Sequence, residues 1–314
     1  MISDLTASAL RNRVIAAAVF WAKVVVALLL VTWLVNSGRL DRQQFRDVNF
    51  GASFVAAIVF QLLLLAGQCL RWWILVRAGD VPLRFQQAAL MSIAGQFAAV
   101  FTPAGLGLDG VRLLRASQLF PARRGALVAA SLWDRFFGLV SLLVLCVPSL
   151  WWLLQIRFPQ FAAAFLWALS PLVGIVFLAS RASRNWTRLE PLRNSVVLLK
   201  SRPRHLALAI VLSFLLHGCN AAAAYCGFLM LNKDAPLGLF FAAPLVVLSS
   251  LIPLTPLGIG VVDGAAAELF LVAGASGGAA VTMLLRATNV LMSLPCGLAL
   301  LWPISRETEN ESNS

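Results

Sequence analysis

Charge is scarce in this sequence. Of its 314 residues only 12% are Asp, Glu, Lys or Arg, against 60% hydrophobic, and the mean hydropathy is +0.86. This balance excludes an ordinary soluble domain. Several apolar runs of about 20 residues match the roughly 30 Å hydrocarbon core of a bilayer, and no room is left beside them for a soluble catalytic domain. Acids are the rarer sign, with 13 Asp and Glu against 25 Lys and Arg. In a soluble chain the net charge of +12 suggests a nucleic-acid ligand. Here the bases flank apolar spans, which points to membrane topology and anionic headgroups, and no nucleic-acid partner is expected. Histidine is limited to His205 and His217, too few for a proton relay. The five cysteines (Cys69, Cys146, Cys219, Cys226, Cys296) lie in apolar runs with no CxxC or Cys/His spacing. No metal or other cofactor is expected, and the cysteines read as small buried side chains. No A-x-A-like cleavage site follows the first apolar run, 14–35, which reads as an uncleaved first span rather than a signal peptide.

What is present is a set of apolar segments. Six have the length of full spans: 14–35, 51–70, 125–148, 161–180, 205–231 and 277–302. Two more, 84–101 and 237–254, end at near-identical punctuation: "TPAGLGLDG" (102–110) and "TPLGIGVVDG" (255–264). A short helical stretch follows each, near 109–119 and 261–274. The stretch after the first motif carries Arg112 and Arg115 and is a poor candidate for crossing lipid. Each pair therefore reads as a re-entrant hairpin of two half-helices, over 84–119 and 237–274. The expected fold is an all-α integral membrane protein with about six full transmembrane helices and two re-entrant hairpins. Its expected organisation is a cytoplasmic N-terminus (1–13) and a first repeat (14–148), then an outer loop, linking span and basic cytoplasmic loop (149–204). A second repeat (161–302) and a disordered cytoplasmic tail (303–314) complete it.

Charge placement orients the chain. With the N-terminus in the cytoplasm, Arg11 and Arg13, the bases of 71–84, 112–124 and 181–204, and Arg306 all fall inside. Only Arg39, Arg42, Arg46, Arg157 and Lys233 fall outside, which satisfies the positive-inside rule. Trp72, Trp73, Trp151, Trp152 and Trp302 lie near expected span ends, where an interfacial aromatic belt belongs. The stretch "NWTRLEPLRNSVVLLK" (185–200) reads equally as an interfacial helix and as a charged loop.

The two halves repeat one plan of span, span, broken hairpin, span. Three full spans per half is an odd number, so the second half enters from the opposite side, an inverted-topology repeat of the kind secondary transporters use. Pro103, Gly105 and Gly107 break the first hairpin; Pro256, Gly258 and Gly260 break the second. Proline removes a donor and glycine permits non-helical angles. Such breaks survive at membrane depth only within protein or beside a water-filled cavity. Half-helix N-termini near Gly107 and Gly260 offer N–H groups to an anion. Asp109 and Asp263, just inside them, read as caps or as members of a site.

Arg135 and Arg286 lie about 15 Å into the spans that follow the hairpins, near the midplane. An arginine there costs at least about 2.5 kcal/mol unless it has a partner. Asp134 adjoins Arg135, but neighbours in a helix do not share a face. Asp109 is the expected partner of Arg135, and Asp263 that of Arg286. Two readings stay open, a pair of structural salt bridges and an anion site at the pseudo-twofold centre. Lys23, also mid-span, snorkels or lines the same cavity. Glu268 is a weaker cavity candidate, and His217 reads as a satisfied helix histidine.

The run "RWW" (71–73), "TPAGLGLDGVRLLR" (102–115), "WDRFFGL" (133–139), "IPLTPLGIGVVDGA" (252–265) and Arg286 resembles the lysylphosphatidylglycerol synthase transmembrane region, or flippase-like domain, over about 14–302. The resemblance implies a membrane domain with re-entrant helices that, in two-part members, moves an aminoacylated phospholipid from the inner to the outer leaflet. Synthase activity there belongs to a separate soluble domain. None follows Ser314, so this chain is not expected to be an enzyme, and a separate lipid-modifying synthase is a candidate partner. Pro103, Gly105, Gly107, Asp109 and Arg112 match the first family motif. Asp134, Arg135, Gly138 and Leu139 match the second, and Pro256, Gly258, Gly260 and Asp263 the third. Asp263 stands where glutamate is usual.

The leading expectation is a flippase-like transporter of a phospholipid or other lipid-linked amphiphile in a bacterial inner membrane, with both termini cytoplasmic. Its expected substrate-binding set is Arg135, Arg286, Asp109, Asp263, Asp134, Arg112 and Lys23. The alternatives are a small-solute transporter on the same plan and an intramembrane lipid-modifying enzyme. "GLGLDG" resembles the GxGD of intramembrane aspartyl proteases but places one residue too many before Asp109.

Overall fold

The computed structural model describes residues 21–22, 25–102, 105–157, 202–252, 255 and 258–302. The N-terminal segment 1–13, Lys23, Pro103, Pro256, the expected span 161–180, the stretch 185–200 and the tail 303–314 lie outside them. Among the described residues every regular element is a helix. In chain order these are α1 (Val25–Asn36), α2 (Ala52–Ala78), α3 (Phe85–Val100), α4 (Leu106–Leu119) and α5 (Arg124–Arg157). Then come α6 (Pro203–Met230), α7 (Leu239–Ser249), α8 (Val261–Val272) and α9 (Gly278–Cys296), which runs on as a short 3-10 turn.

Among the described residues four elements are long and apolar enough to cross a membrane: Ala52–Ala78, Pro121–Arg157, Pro203–Met230 and Gly278–Leu300. Four of the expected spans thus fall on described helices, and α1 covers part of a fifth. Two boundaries differ from the sequence reading. Helix α2 continues past residue 70 to Ala78, because Arg71 and Trp72 point into protein rather than marking a loop. It stops where Gly79 caps Leu75 and Asp80 takes a left-handed φ of 58°, with Pro82 beyond. Helix α5 runs through Pro148, where the Ser149 hydroxyl donates to the Leu145 carbonyl at 2.8 Å.

Both expected breaks are present. Helix α3 ends at Val100 and α4 starts after Gly105, at φ 66°. The two run antiparallel, with Arg112 reaching Ser92 and Gly107 lying against Ala98. A Cβ on Gly107 would sit 2.3 Å from the Ala98 carbonyl oxygen, so only glycine permits this approach. The Gly107 N–H is capped by the Thr102 hydroxyl at 2.7 Å. In the second hairpin α7 ends at Ser249 and α8 starts after Gly260, at φ 85°, where a Cβ would strike Leu30 of α1 at 2.4 Å. The arms have 16, 14, 11 and 12 residues. At 1.5 Å per residue the longest is about 24 Å, short of a bilayer core.

Helices α2 and α6 form the most extensive helix pair, and they are antiparallel. The Asn49 N–H meets the Met230 carbonyl, Gly67 lies against Leu216, and Arg71 meets Ser213. Around them the packing is reciprocal. Helix α3 of the first hairpin packs on α9, which follows the second; α7 of the second packs on α5, which follows the first. The Trp152–Phe241 stack, 5.8 Å between centroids, belongs to the α5–α7 contact.

The apolar core is divided accordingly. One cluster joins α2, α3, α4 and α5 around Trp72 and Leu127, with Ala209 of α6. Another joins α6–α9 around Phe228 and Phe270, whose rings meet edge-on at 5.3 Å, and takes in Leu34 of α1. Trp72 is wholly buried, its indole N–H donating to Ser131 at 3.2 Å, so it is core rather than aromatic belt. Trp302 is exposed. Leu62, Leu143, Leu215 and Leu291 are exposed on the long helices, an outward apolar surface that suits lipid.

Candidate functional site

Each hairpin carries an aspartate in the first turn of its second arm, and the helix after the hairpin brings an arginine to it. Asp263, the third residue of α8, is wholly buried. Its two oxygens accept from Arg286 Nη1 and Nη2, both at 3.0 Å, from the Thr282 hydroxyl at 2.6 Å and from the Gly260 N–H at 2.8 Å. This fork-to-fork pair is the geometry arginine favours. The same carboxylate therefore caps α8 and clamps α9, so the capping and pairing readings are both met in one residue. Asp109 pairs with Arg135 Nε in the equivalent place. The Arg135 guanidinium also approaches the Gly105 carbonyl, and its side chain is 42% exposed.

The two halves differ around these pairs. The first hairpin is tied into a ladder of charges. Arg71 donates to Asp134 at 2.6 Å and to Ser213 at 2.9 Å. Arg112 Nη1 lies 3.9 Å from Asp109 and 4.0 Å from Asp134, while its Nε donates to Ser92 at 2.9 Å. Its guanidinium also lies 5.2 Å from the Trp72 ring. Arg112 has no exposed side-chain surface, and its Nη1 and Nη2 have no hydrogen-bond partner among the described residues. Two aspartates thus serve three arginines in a largely dry cluster. Such a group is costly to bury and more costly to break. Asp134, expected in the site, serves this ladder, and Arg71, counted as a loop charge in the topology reading, is its partner.

Beside the second pair lies a cavity of about 330 Å³. It sits between the tips of both hairpins: Ala99 and Val100 end the first arm of one, while Val246, Val247, Ser250 and Val262 flank the break of the other. Its polar lining is Gln61 of α2, Gln96 of α3, Asn220 of α6, Ser250 just after α7, and Thr282, Arg286 and Asn289 of α9. Gln61 donates to the Leu285 carbonyl at 3.2 Å and to Thr288 at 2.8 Å. Gln96 approaches Asn289 and Ser293, both at 3.4 Å.

Arg286 lines this cavity; Arg135, Asp109 and Arg112 do not. The charge ladder holds the first hairpin against α2 and α5, whereas the second hairpin leaves its arginine facing open space. Glu268 pairs with Arg39 in the loop after α1 instead of facing the cavity. His217 lies 3.1 Å from the Gly138 carbonyl, the satisfied helix histidine expected. The amides Gln61, Gln96, Asn220 and Asn289 were not singled out from the sequence. The available signal was their isolation within strongly apolar helices, where an amide requires a partner or water.

A family model described as the lysylphosphatidylglycerol synthase TM region matches residues 15–297. No curated protein and no solved structure matches the chain.

Proposed function

The chain belongs to the lysylphosphatidylglycerol synthase TM region family, and from that premise we propose that it is a flippase-like transporter that moves a phospholipid or lipid-linked amphiphile between leaflets. The observation that carries this reading is the cavity between the tips of two broken hairpins, mostly apolar in its wall, with Arg286 and several amides among its lining. Broken helices around a midplane cavity are the way transporters satisfy irregular backbone away from lipid.

On this reading the hairpins are re-entrant and the halves form an inverted repeat. Three observations support it. The arms are too short to span, α2 and α6 are antiparallel neighbours, and α3–α9 packing is mirrored by α7–α5 packing. A twofold axis that exchanges antiparallel helices lies across them, in the plane of the membrane. The headgroup enters the cavity while its acyl chains remain against the exposed leucines of the long helices. Arg286 holds the phosphate through the N–H groups that Asp263 does not use. The charge asymmetry of the sequence sets both termini in the cytoplasm, in a bacterial inner membrane, and the chain acts without catalysis of its own.

The test is transbilayer movement in proteoliposomes. Fluorescent phospholipid should become accessible to dithionite faster with the protein than without it. Arg286→Met combined with Asp263→Asn should remove the acceleration in protein that still folds. Equal rates in protein-containing and empty vesicles, across anionic and zwitterionic lipids, would sink the proposal.

A further inference from the structure

The two hairpins are not held alike. We propose that the first arm of the second hairpin, α7, is the moving wall of the cavity, and that it bends at Pro244 to open and close the approach to Arg286. This rests on the transport reading above and names the element that moves.

The argument starts from the sequence of the arm, "LFFAAPLVVLS". Pro244 stands inside it and has no N–H, so it cannot donate to the Phe240 carbonyl one turn back. A proline within a helix is a usual site of sharp bending. The side chains before it are anchored. Phe241 stacks on Trp152 of α5 at 5.8 Å, Phe240 meets Tyr225 of α6 at 5.9 Å, and Leu239 and Ala242 are buried. The half after it is held less firmly. The hydroxyls of Ser249 and Ser250 turn back to the Val246 and Val247 carbonyls of their own helix, both at 2.6 Å. No aromatic ring follows Pro244 in the arm, and Leu251 and Ile252 just beyond it are exposed. Among the described residues, the one side-chain hydrogen bond between α7 and another element is the weak S–H contact of Cys146 with the Pro244 carbonyl, at 3.6 Å.

The loosely held half is also the half that borders the cavity. Ala243, Val246, Val247 and Ser250 line it, and their spacing places them on one helix face. Arg286 lines the same space from α9. The first hairpin has no such freedom. Its arm α3 contains no proline. Gln96 reaches Asn289 and Ser293 of α9, and Ser92 accepts from Arg112. Arg115 of α4 donates to the Ala299 and Leu300 carbonyls in the turn after α9. A wall anchored by aromatic rings at one end and interrupted at its middle moves at the other end. At about 1.5 Å per residue the arm reaches about 10 Å from Pro244 to Leu251, so a change of bend of about 20–30° carries its end about 4–5 Å.

The test measures distances between spin labels on the full-length protein in lipid nanodiscs, with the five native cysteines replaced by alanine. Leu208→Cys on α6 is the reference. It is paired in turn with Leu237→Cys before the arm, Leu251→Cys at its end and Phe101→Cys at the end of α3, all four at exposed side chains. The pair at 208 and 251 should show two distances about 4–5 Å apart, and each of the other pairs a single distance. Pro244→Ala restores a donor to the Phe240 carbonyl. It should reduce the minor distance about tenfold, the worth of one well-made hydrogen bond. Should that variant fail to fold, the three pairs in the Pro244 protein decide alone. A single distance at 251, as narrow as that at 237, would overturn the inference. So would two distances at 101 as well as at 251, because both hairpins would then move. A minor distance unchanged in folded Pro244→Ala would remove Pro244 as the hinge and overturn it too. Two distances at 251 with no transbilayer movement of lipid in proteoliposomes would sink the transport reading alone and leave the hinge standing. Lipid movement with a single distance at 251 would overturn the hinge alone.

Discussion

Removing Arg286 separates a structural salt bridge from a working one. In the Arg286→Met variant, Asp263 keeps only Thr282 and the Gly260 N–H, at a position with no exposure to solvent. Breaking one side of a buried pair costs about 3–5 kcal/mol, because the surviving charge stays buried. For a chain of this size that corresponds to about 6–20 °C in melting temperature. Adding Asp263→Asn removes the stranded charge; its amide oxygen still accepts from the Gly260 N–H, and its NH2 donates to the Thr282 hydroxyl, which reverses its role. The double variant should therefore recover to within about 1–2 kcal/mol of the native protein, giving a coupling energy far above that of a surface pair. Thermal unfolding of the four proteins in detergent, followed by tryptophan emission, measures the cycle. Lipid movement measured on the same four decides the role. The account predicts that stability returns in the double variant and transport does not. An unchanged melting temperature in Arg286→Met would refute the buried-pair reasoning, and full transport by the double variant would reduce the pair to a clamp.

Three further outcomes follow from the geometry. Asp134→Asn deprives two buried arginines at once, Arg71 and Arg112, whereas Asp109→Asn releases chiefly the half-exposed Arg135. Asp134→Asn should be the more destabilising of the two, by about 2 kcal/mol or more on melting. Gly107→Ala drives a Cβ to 2.3 Å from a backbone oxygen and should abolish folded yield by gel filtration, while Gly110→Ala, with nothing within 4 Å, should be neutral or slightly stabilising. Gln61→Leu removes two hydrogen bonds from α2 to α9 and should lower stability by about 1–2 kcal/mol, read by the same melting assay.

Much of this arrangement was legible in the sequence. Helix breakers in an apolar run have few physical explanations, so the two glycine motifs pointed directly to two broken hairpins. A deep arginine must have a partner, which identified the pairs Arg135–Asp109 and Arg286–Asp263 before any coordinates. Arg71 was less legible, because a basic residue at the end of an apolar run looks like a topogenic loop charge. Only its approach to Asp134 and Ser213 reveals a core residue. Trp72 misled for the same reason. The asymmetry between the halves was also hidden. Matched motifs suggest matched roles, yet Arg112 and Asp134 lock the first hairpin, and positions with no charge leave the second facing the cavity. The amides that line that cavity come from four helices and share no spacing that a linear pattern exposes.

The central claim is that water and a headgroup reach the space between the hairpin tips, and thiol accessibility tests it most directly. With Cys69, Cys146, Cys219, Cys226 and Cys296 replaced by alanine, a single cysteine at position 220 is compared with one at position 208, where Leu208 is exposed on the outside of α6. In native membranes the account predicts that a small charged methanethiosulfonate modifies the cysteine at 220 and spares the one at 208. Equal inertness at the two positions would contradict it.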